Sequence, residues 1–168
     1  MDHRVRFWMR SESLAKQVNT QHENPEYLPG YPLAERVVAT HDMAQAVSGS
    51  SVIFVAVPST SFRSVVQRIM EHAAPGVILV STTKGIEAGS FMLMSEVLRA
   101  EAPEAKIGVL SGPNLAKEIA ASQLTGTVIA SGQESVRSTI QELLKSDTFR
   151  VYTNDDVFGI EPNTSSLV

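Results

Sequence analysis

Apolar residues along this chain recur with two different periods, and the alternation between them predicts the fold. Short runs stand at Val37-Val38-Ala39-Thr40, Val52-Ile53-Phe54-Val55-Ala56-Val57, Val77-Ile78-Leu79-Val80 and Ile107-Gly108-Val109-Leu110, bounded by glycine, proline or hydroxyl residues. Runs this short and this branched read as strands buried on both faces. Further strands are predicted over 5–9, 125–130 and 149–152. Between them the spacing turns helical. Phe62, Val65, Val66, Ile69 and Met70 follow i, i+3, i+4, i+7, i+8, the clearest helix in the chain, with Ser59-Thr60-Ser61 placed to cap it. Other helices are predicted through Leu14, Ala15 and Val18, over 41–47, over 91–100 through Phe91, Met94, Val97 and Leu98, and over 114–121 behind Pro113. The last follows Ser131-Gly132-Gln133-Glu134, which has capping-box spacing, and buries Val136, Ile140, Leu143 and Leu144. Residues 19–32 read as loop because Pro25, Pro29-Gly30 and Pro32 interrupt any helix, and 162–168 as an unstructured tail. Strands alternating with amphipathic helices predict an α/β, doubly wound, mostly parallel sheet with right-handed crossovers.

Composition changes this picture little and excludes several chemistries. With 168 residues, 43% hydrophobic and 19% charged, the chain can bury one core. A net charge of -4 and a pI near 5.6 leave no broad basic field, which argues against nucleic acid as the main partner. The absence of cysteine excludes disulfides and thiolate chemistry and fits a reducing cytoplasm. No apolar run approaches the roughly 18 to 20 residues of a membrane span. These features predict a soluble, cytoplasmic protein.

Candidate chemistry collects just past the strand ends, where open parallel sheets bind ligands. Ser59, Lys84 and Asn114 each follow a predicted strand and would share one crevice. Lys84 suits neutralising a phosphate or polarising a carbonyl oxygen, and Gly85 would let the backbone come close; on composition alone a solvated loop lysine is the commoner outcome. Ser111-Gly112-Pro113-Asn114, opening a helix, offers N–H groups to an anion or serves as an ordinary cap. If 5–9 is the second strand of a dinucleotide fold, Arg10 stands where an arginine accommodates the 2′-phosphate of NADP; the alternative is a surface arginine. His3, His22, His41 and His72 lack metal-ligand spacing.

Four stretches taken together carry a resemblance: His22-Glu23-Asn24-Pro25-Glu26-Tyr27-Leu28-Pro29-Gly30, Ala56-Val57-Pro58-Ser59, Lys84-Gly85-Ile86-Glu87 and Ser111-Gly112-Pro113-Asn114-Leu115-Ala116-Lys117-Glu118. In order and spacing the chain resembles bacterial NAD(P)-dependent glycerol-3-phosphate dehydrogenases over about residues 4–161. The resemblance implies a Rossmann-type domain, NAD or NADP as cofactor, and glycerone phosphate and sn-glycerol 3-phosphate as substrate pair. It implies cofactor contacts from Arg10, Pro58, Lys84 and Ala116, and substrate contacts from Lys84, Gly112 and Asn114. It leaves room for a homo-oligomer.

Two departures accompany it. Members of that family begin with a strand and a Gly-x-Gly-x-x-Gly-type turn, whereas this chain opens on what resembles their second strand. At the other end Asp155-Asp156-Val157-Phe158-Gly159-Ile160-Glu161 follows the family, but Pro162 onward does not lead into its helical substrate domain, where the family's catalytic lysine lies. The expectation is a partial dinucleotide-binding domain over 1–161, a fragment with little or no activity alone. The alternative is a non-catalytic module that binds a nucleotide, a phosphate or a full-length homologue.

Overall fold

The structure, a computed structural model, describes residues 3–161. In chain order its elements are β1 (Val5–Trp8), α1 (Glu12–Gln21), β2 (Glu23–Asn24), β3 (Leu28–Pro32), β4 (Val37–Thr40), α2 (Met43–Val47), β5 (Val52–Val55), α3 (Ser59–Met70), β6 (Ile78–Ser81), α4 (Met94–Glu101), β7 (Lys106–Ser111), α5 (Ala116–Ala120), β8 (Thr125–Ala130), α6 (Glu134–Leu144), β9 (Phe149–Asn154) and α7 (Val157–Ile160). Strands β5, β6 and β7 run parallel; β8 turns antiparallel to β7 and β9 runs parallel to β8, giving the order β5-β6-β7-β8-β9. A separate parallel pair, β1-β4, stands apart from this sheet, and β2-β3 form a small antiparallel hairpin.

Helices cover both faces of the five-stranded sheet, as strands buried on both sides require. Against one face, Val55 and Leu79 pack with Met43 and Val47 of α2, Phe62, Val66 and Ile69 of α3, and Met94, Val97 and Leu98 of α4. Against the other, Val80, Ile129 and Val151 pack with Val136 and Ile140 of α6. The β1-β4 pair has its own small core of Met9, Leu14, Ala15, Val18 and Ala39. The two parts meet at Trp8, which leans on the α2–α3–α4 core and lies with the Arg68 guanidinium 5.2 Å from its ring centroid.

Several local expectations need correction. The stretch 19–32 is not loop: α1 runs on to Gln21, His22 closes it in a left-handed conformation, and β2-β3 follow with Gly30 N–H donating to Glu23 Oε1 at 2.8 Å. The helix expected from Phe91 starts at Met94; Phe91 has φ 59° and is 75% exposed. The helix expected at Asn114 starts at Ala116 and has five residues, so Ser111-Gly112-Pro113-Asn114 precedes it instead of opening it. No hydroxyl caps α3, whose N-cap is Pro58, and no side chain caps α6, because Ser131 Oγ accepts from the N–H of Gln133 ahead of the first turn. The expected tail at 162–168 lies outside the described residues.

Candidate functional site at the carboxyl ends of the strands

The crevice is assembled by hydroxyl side chains that tie neighbouring strand ends together. Pairing between β5 and β6 continues past the ladder, with Thr82 N–H donating to Val55 O at 3.0 Å. Thr83 Oγ1 then donates to Val57 O at 2.8 Å, fixing where the two chains diverge. Lys84 follows, exposed and without an ion pair among the described residues. Gly85 adopts φ +104°, a region that disfavours any side chain, and a Cβ there would sit 3.7 Å from Ser59 Oγ. The ends of β5 and β6 therefore bring Ser59 and Lys84 side by side. Pro58 opens α3 at the same level, and no side chain occupies that helix's first-turn N–H groups.

Glu87 anchors the Lys84 loop. Its carboxylate takes two bonds from Arg63 of α3, Nε to Oε1 at 2.8 Å and Nη2 to Oε2 at 2.7 Å, and a third from Ser90 Oγ at 2.5 Å. Arg63 also reaches Glu101 of α4, which Gln67 holds from its other oxygen at 3.0 Å. The Arg63 bonds, with Ser90, hold the Glu87 carboxyl down to about 2, and the two carboxylates raise the guanidinium further above its usual range. A bidentate arginine fixes a planar carboxylate in direction as well as distance.

At the end of β7, glycine is required for close approach: a Cβ on Gly112 would lie 3.1 Å from Gly126 O and from Thr127 Cα on β8. Asn114 turns toward the same strand, its Nδ2 donating to Thr127 Oγ1 at 2.9 Å, while Thr127 Oγ1 donates to Ser111 O at 3.0 Å. Asn114 Oδ1 is buried with no hydrogen-bond partner among the described residues. A buried acceptor left open is costly unless a ligand completes it. No hydrogen bond joins Lys84 to Asn114; they occupy neighbouring strand ends. Ala116, exposed, begins α5, and that helix touches β3. The hairpin thus links the Arg10 side of the crevice to its Asn114 side. Arg10 is exposed just past β1, near enough that its charge is felt at Tyr27 in the hairpin turn.

Some of this machinery has no sequence signal. Arg63 lies 24 residues from Glu87, and only the fold brings them together. Buried Glu161, whose Oε1 accepts from Ser95 N–H in the first turn of α4 at 2.9 Å, lies 66 residues from its partner. Burial raises its carboxyl above the ordinary value. Among the described residues no group of three or more histidine, aspartate or glutamate side chains could hold a metal ion. No described helix is long and apolar enough to cross a membrane.

The family described as NAD-dependent glycerol-3-phosphate dehydrogenase N-terminus matches residues 1–137. The chain belongs to that family. A glycerol-3-phosphate dehydrogenase [NAD(P)+] from Teredinibacter turnerae is 48% identical over 159 residues, 95% of this chain and 47% of the relative. One from Pseudomonas entomophila is 50% identical over 161 residues, 95% of this chain and 46% of its own length. The crystal structure of a Coxiella burnetii glycerol-3-phosphate dehydrogenase superposes with a TM-score of 0.91 at 33% identity, over 96% of this chain and 50% of that one. The chain spans about half the length of the curated relatives it matches. In this glycerol-3-phosphate dehydrogenase N-terminal domain, one exposed cation, Arg10, stands past β1 and another, Lys84, past β6, with the open amide acceptor of Asn114 beyond β7. Among the described residues β1 and β5 belong to separate sheets and share no ladder, directly or through a common strand.

Proposed function

We propose that this chain is the cofactor-binding half of a cytoplasmic NAD(P)-dependent glycerol-3-phosphate dehydrogenase, reducing glycerone phosphate to sn-glycerol 3-phosphate for glycerophospholipid synthesis. The observation that carries the reading is the pairing, past adjacent parallel strands, of an unpartnered lysine with a buried amide oxygen that lacks a donor. The dinucleotide, when bound, supplies the hydride. The remaining work belongs to the chain's own groups. Lys84 draws in the phosphate or polarises the C2 carbonyl, stabilising the negative charge that develops on its oxygen. Asn114 Oδ1 accepts a substrate hydroxyl and so fixes orientation, while Gly112 keeps the wall flat enough for a small substrate. Arg10 meets the adenosine end, where a guanidinium suits a 2′-phosphate. Pro58 and Ala116 present small apolar surfaces to the cofactor.

The test is an amide-resolved titration of the 168-residue protein with NADPH, then with sn-glycerol 3-phosphate. NADPH is expected to perturb Arg10, Ser59, Lys84 and Ala116, and the phosphorylated substrate Lys84, Gly112 and Asn114, with the substrate response lost in Lys84→Ala. Perturbations confined to other strand ends would sink the assignment. In a steady-state assay the same protein is expected to turn over more than tenfold below the roughly 1 to 1,000 per second of ordinary enzymes.

A further inference from the structure

Lys84 hangs between two fixed points. Behind it, Thr83 Oγ1 donates to Val57 O at 2.8 Å and holds the chain to the end of β5. Ahead of it, Glu87 N–H donates to Met92 O at 2.9 Å, and the bridge from Ile86 to Leu93 closes the loop. Gly85, at φ +104°, makes the turn between the two. Three residues span at most about 11 Å of chain, so the carboxylate nearest to Lys84 in sequence, Glu87, stands within range of its long flexible stem. A lysine so close to a carboxylate would ordinarily pair with it. Lys84 does not, and is exposed without an ion pair among the described residues.

The cause is the partner that Glu87 already has. Arg63 of α3 donates from Nε to Oε1 at 2.8 Å and from Nη2 to Oε2 at 2.7 Å, and Ser90 Oγ adds a bond to Oε2 at 2.5 Å. Both oxygens are taken, in a two-pronged geometry that an ammonium group cannot match. Side-chain exposure is 31% for Arg63 and 18% for Glu87, so salt screens this pair less than it screens the open Lys84. Arg63 is held in turn, because Nη1 donates to Glu101 at the end of α4, and Gln67 Nε2 donates to the other oxygen of Glu101 at 3.0 Å. Its Nη2 also lies 3.4 Å from Met92 Sδ on the returning arm of the same loop. One guanidinium therefore answers for two carboxylates beside the crevice.

We propose that Arg63 is a positioning residue for Lys84: by occupying the Glu87 carboxylate it keeps that anion off the lysine, whose ammonium group stays free for the substrate. The consequence for substrate rests on the role given to Lys84 under the proposed function; the geometry around Arg63 does not. A phosphate monoester carries about -1.5 to -2 charges at neutral pH. A carboxylate released beside Lys84 would thus act twice, as a competing partner for the ammonium group and as a like charge toward the ligand. The role is electrostatic, so a second change that removes the released charge should undo the first.

Two measurements on the 168-residue protein test this: the rate at which limiting acetic anhydride acetylates Lys84, compared with exposed Lys106 by peptide mass spectrometry, and the dissociation constant for sn-glycerol 3-phosphate. Arg63→Gln is expected to slow acetylation of Lys84 at least threefold and to weaken the phosphorylated ligand at least fivefold. Adding Glu87→Gln is expected to return both values to within twofold of the parent, even though the loop has then lost its anchor. Unchanged or faster acetylation in Arg63→Gln overturns the proposal. So does a double variant as impaired as the single one, the result expected if Arg63 only braces the loop. Should far-ultraviolet circular dichroism show Arg63→Gln unfolded, Arg63→Lys decides, since it keeps a cation on Glu87 without the fork: acetylation of Lys84 at the parent rate supports the proposal, and a threefold slower rate overturns it. A parent protein that fails to bind sn-glycerol 3-phosphate removes Lys84 from the substrate site, and acetylation then judges the role of Arg63 by itself.

Discussion

Arg10 and Lys84 are both exposed cations past the ends of parallel strands, and neither carries an ion pair within the described chain. Reversing the charge at Arg10 is therefore expected to act on ligands and not on folding. Arg10→Glu should weaken NADPH at least tenfold while changing NADH much less, measured by titrating both cofactors; an equal loss of each would remove Arg10 from the adenosine end. Glu161 is the opposite case, a carboxylate taken out of water. Burial raises its folded pKa above the ordinary value, so the folded state holds the proton more tightly than the unfolded chain. Its contribution is greatest below the usual carboxylate range and declines as pH rises through the elevated value. Glu161→Gln keeps an acceptor for Ser95 N–H but carries no charge. The variant should gain on the parent in urea midpoint at neutral pH, with the difference vanishing in acid; a variant uniformly less stable at every pH would show that the charge itself is needed there. The place of Lys84, exposed just past β6, was legible from the sequence because the apolar run before it breaks into hydroxyls and a glycine. Glu161 was not, since nothing nearby in the chain announces burial.

The loop after β6 shows how an element is held in place by residues that never touch a ligand. A single antiparallel bridge, Ile86 to Leu93, closes it, with Glu87 N–H donating to Met92 O at 2.9 Å and Phe91 N–H to Glu87 O at 3.0 Å. The Arg63 fork on Glu87 fastens the closed loop to α3. Glu87→Gln should speed hydrogen exchange at Glu87 and Phe91 several-fold and leave β6 and β7 unchanged. Because Arg63 and Ser90 hold the Glu87 carboxyl near 2, its contribution is complete above the ordinary carboxylate range and is lost as pH falls toward 2. The difference between parent and variant should disappear there; a difference that survives at that pH would point to packing instead of charge. Periodicity announced α3 and the β5, β6 and β7 strands correctly, since their burial patterns are continuous over whole elements. It failed at helix starts. Phe91 has the right spacing for α4, yet the bridge to Leu93 uses those residues before the helix begins, and Pro113 could not start α5 while Asn114 N–H bonds back to Gly112 O. The β2-β3 hairpin was hidden for a related reason: prolines exclude helix, but an edge hairpin of two and five residues tolerates them.

At the scale of the molecule, the alternation of strands and helices fixed the class, and the four-stretch resemblance supplied the order of the strand ends. The resemblance, with a chain that opens on what matches the family's second strand, also announced a sheet without its first strand, and β1-β4 is a pair separate from the five-stranded sheet. The interruption divides the core, with five buried residues under β1-β4 and a far larger set under the main sheet, joined through Trp8, through α2 and through the Arg6 bonds to Gln45 O, Ser48 O and Ser50 Oγ. Trp8 is the only tryptophan in the chain. Its Nε1 donates to His41 O at 3.0 Å and the Arg68 guanidinium lies 5.2 Å from its ring centroid, so its fluorescence reports whether the small part is docked on α3. A part with few buried contacts and no ladder to the rest opens at lower free energy than the whole. Urea unfolding followed at Trp8 should therefore have a lower midpoint than unfolding followed by far-ultraviolet circular dichroism, which is dominated by α3, α4 and α6. Removing the guanidinium in Arg68→Ala should lower the fluorescence midpoint further, by about 0.5 to 1 kcal/mol for an exposed cation over an aromatic face, and leave the dichroism transition in place. Coincident transitions in the parent protein would mean that Trp8 couples the two sheets into one cooperative unit despite the open edge.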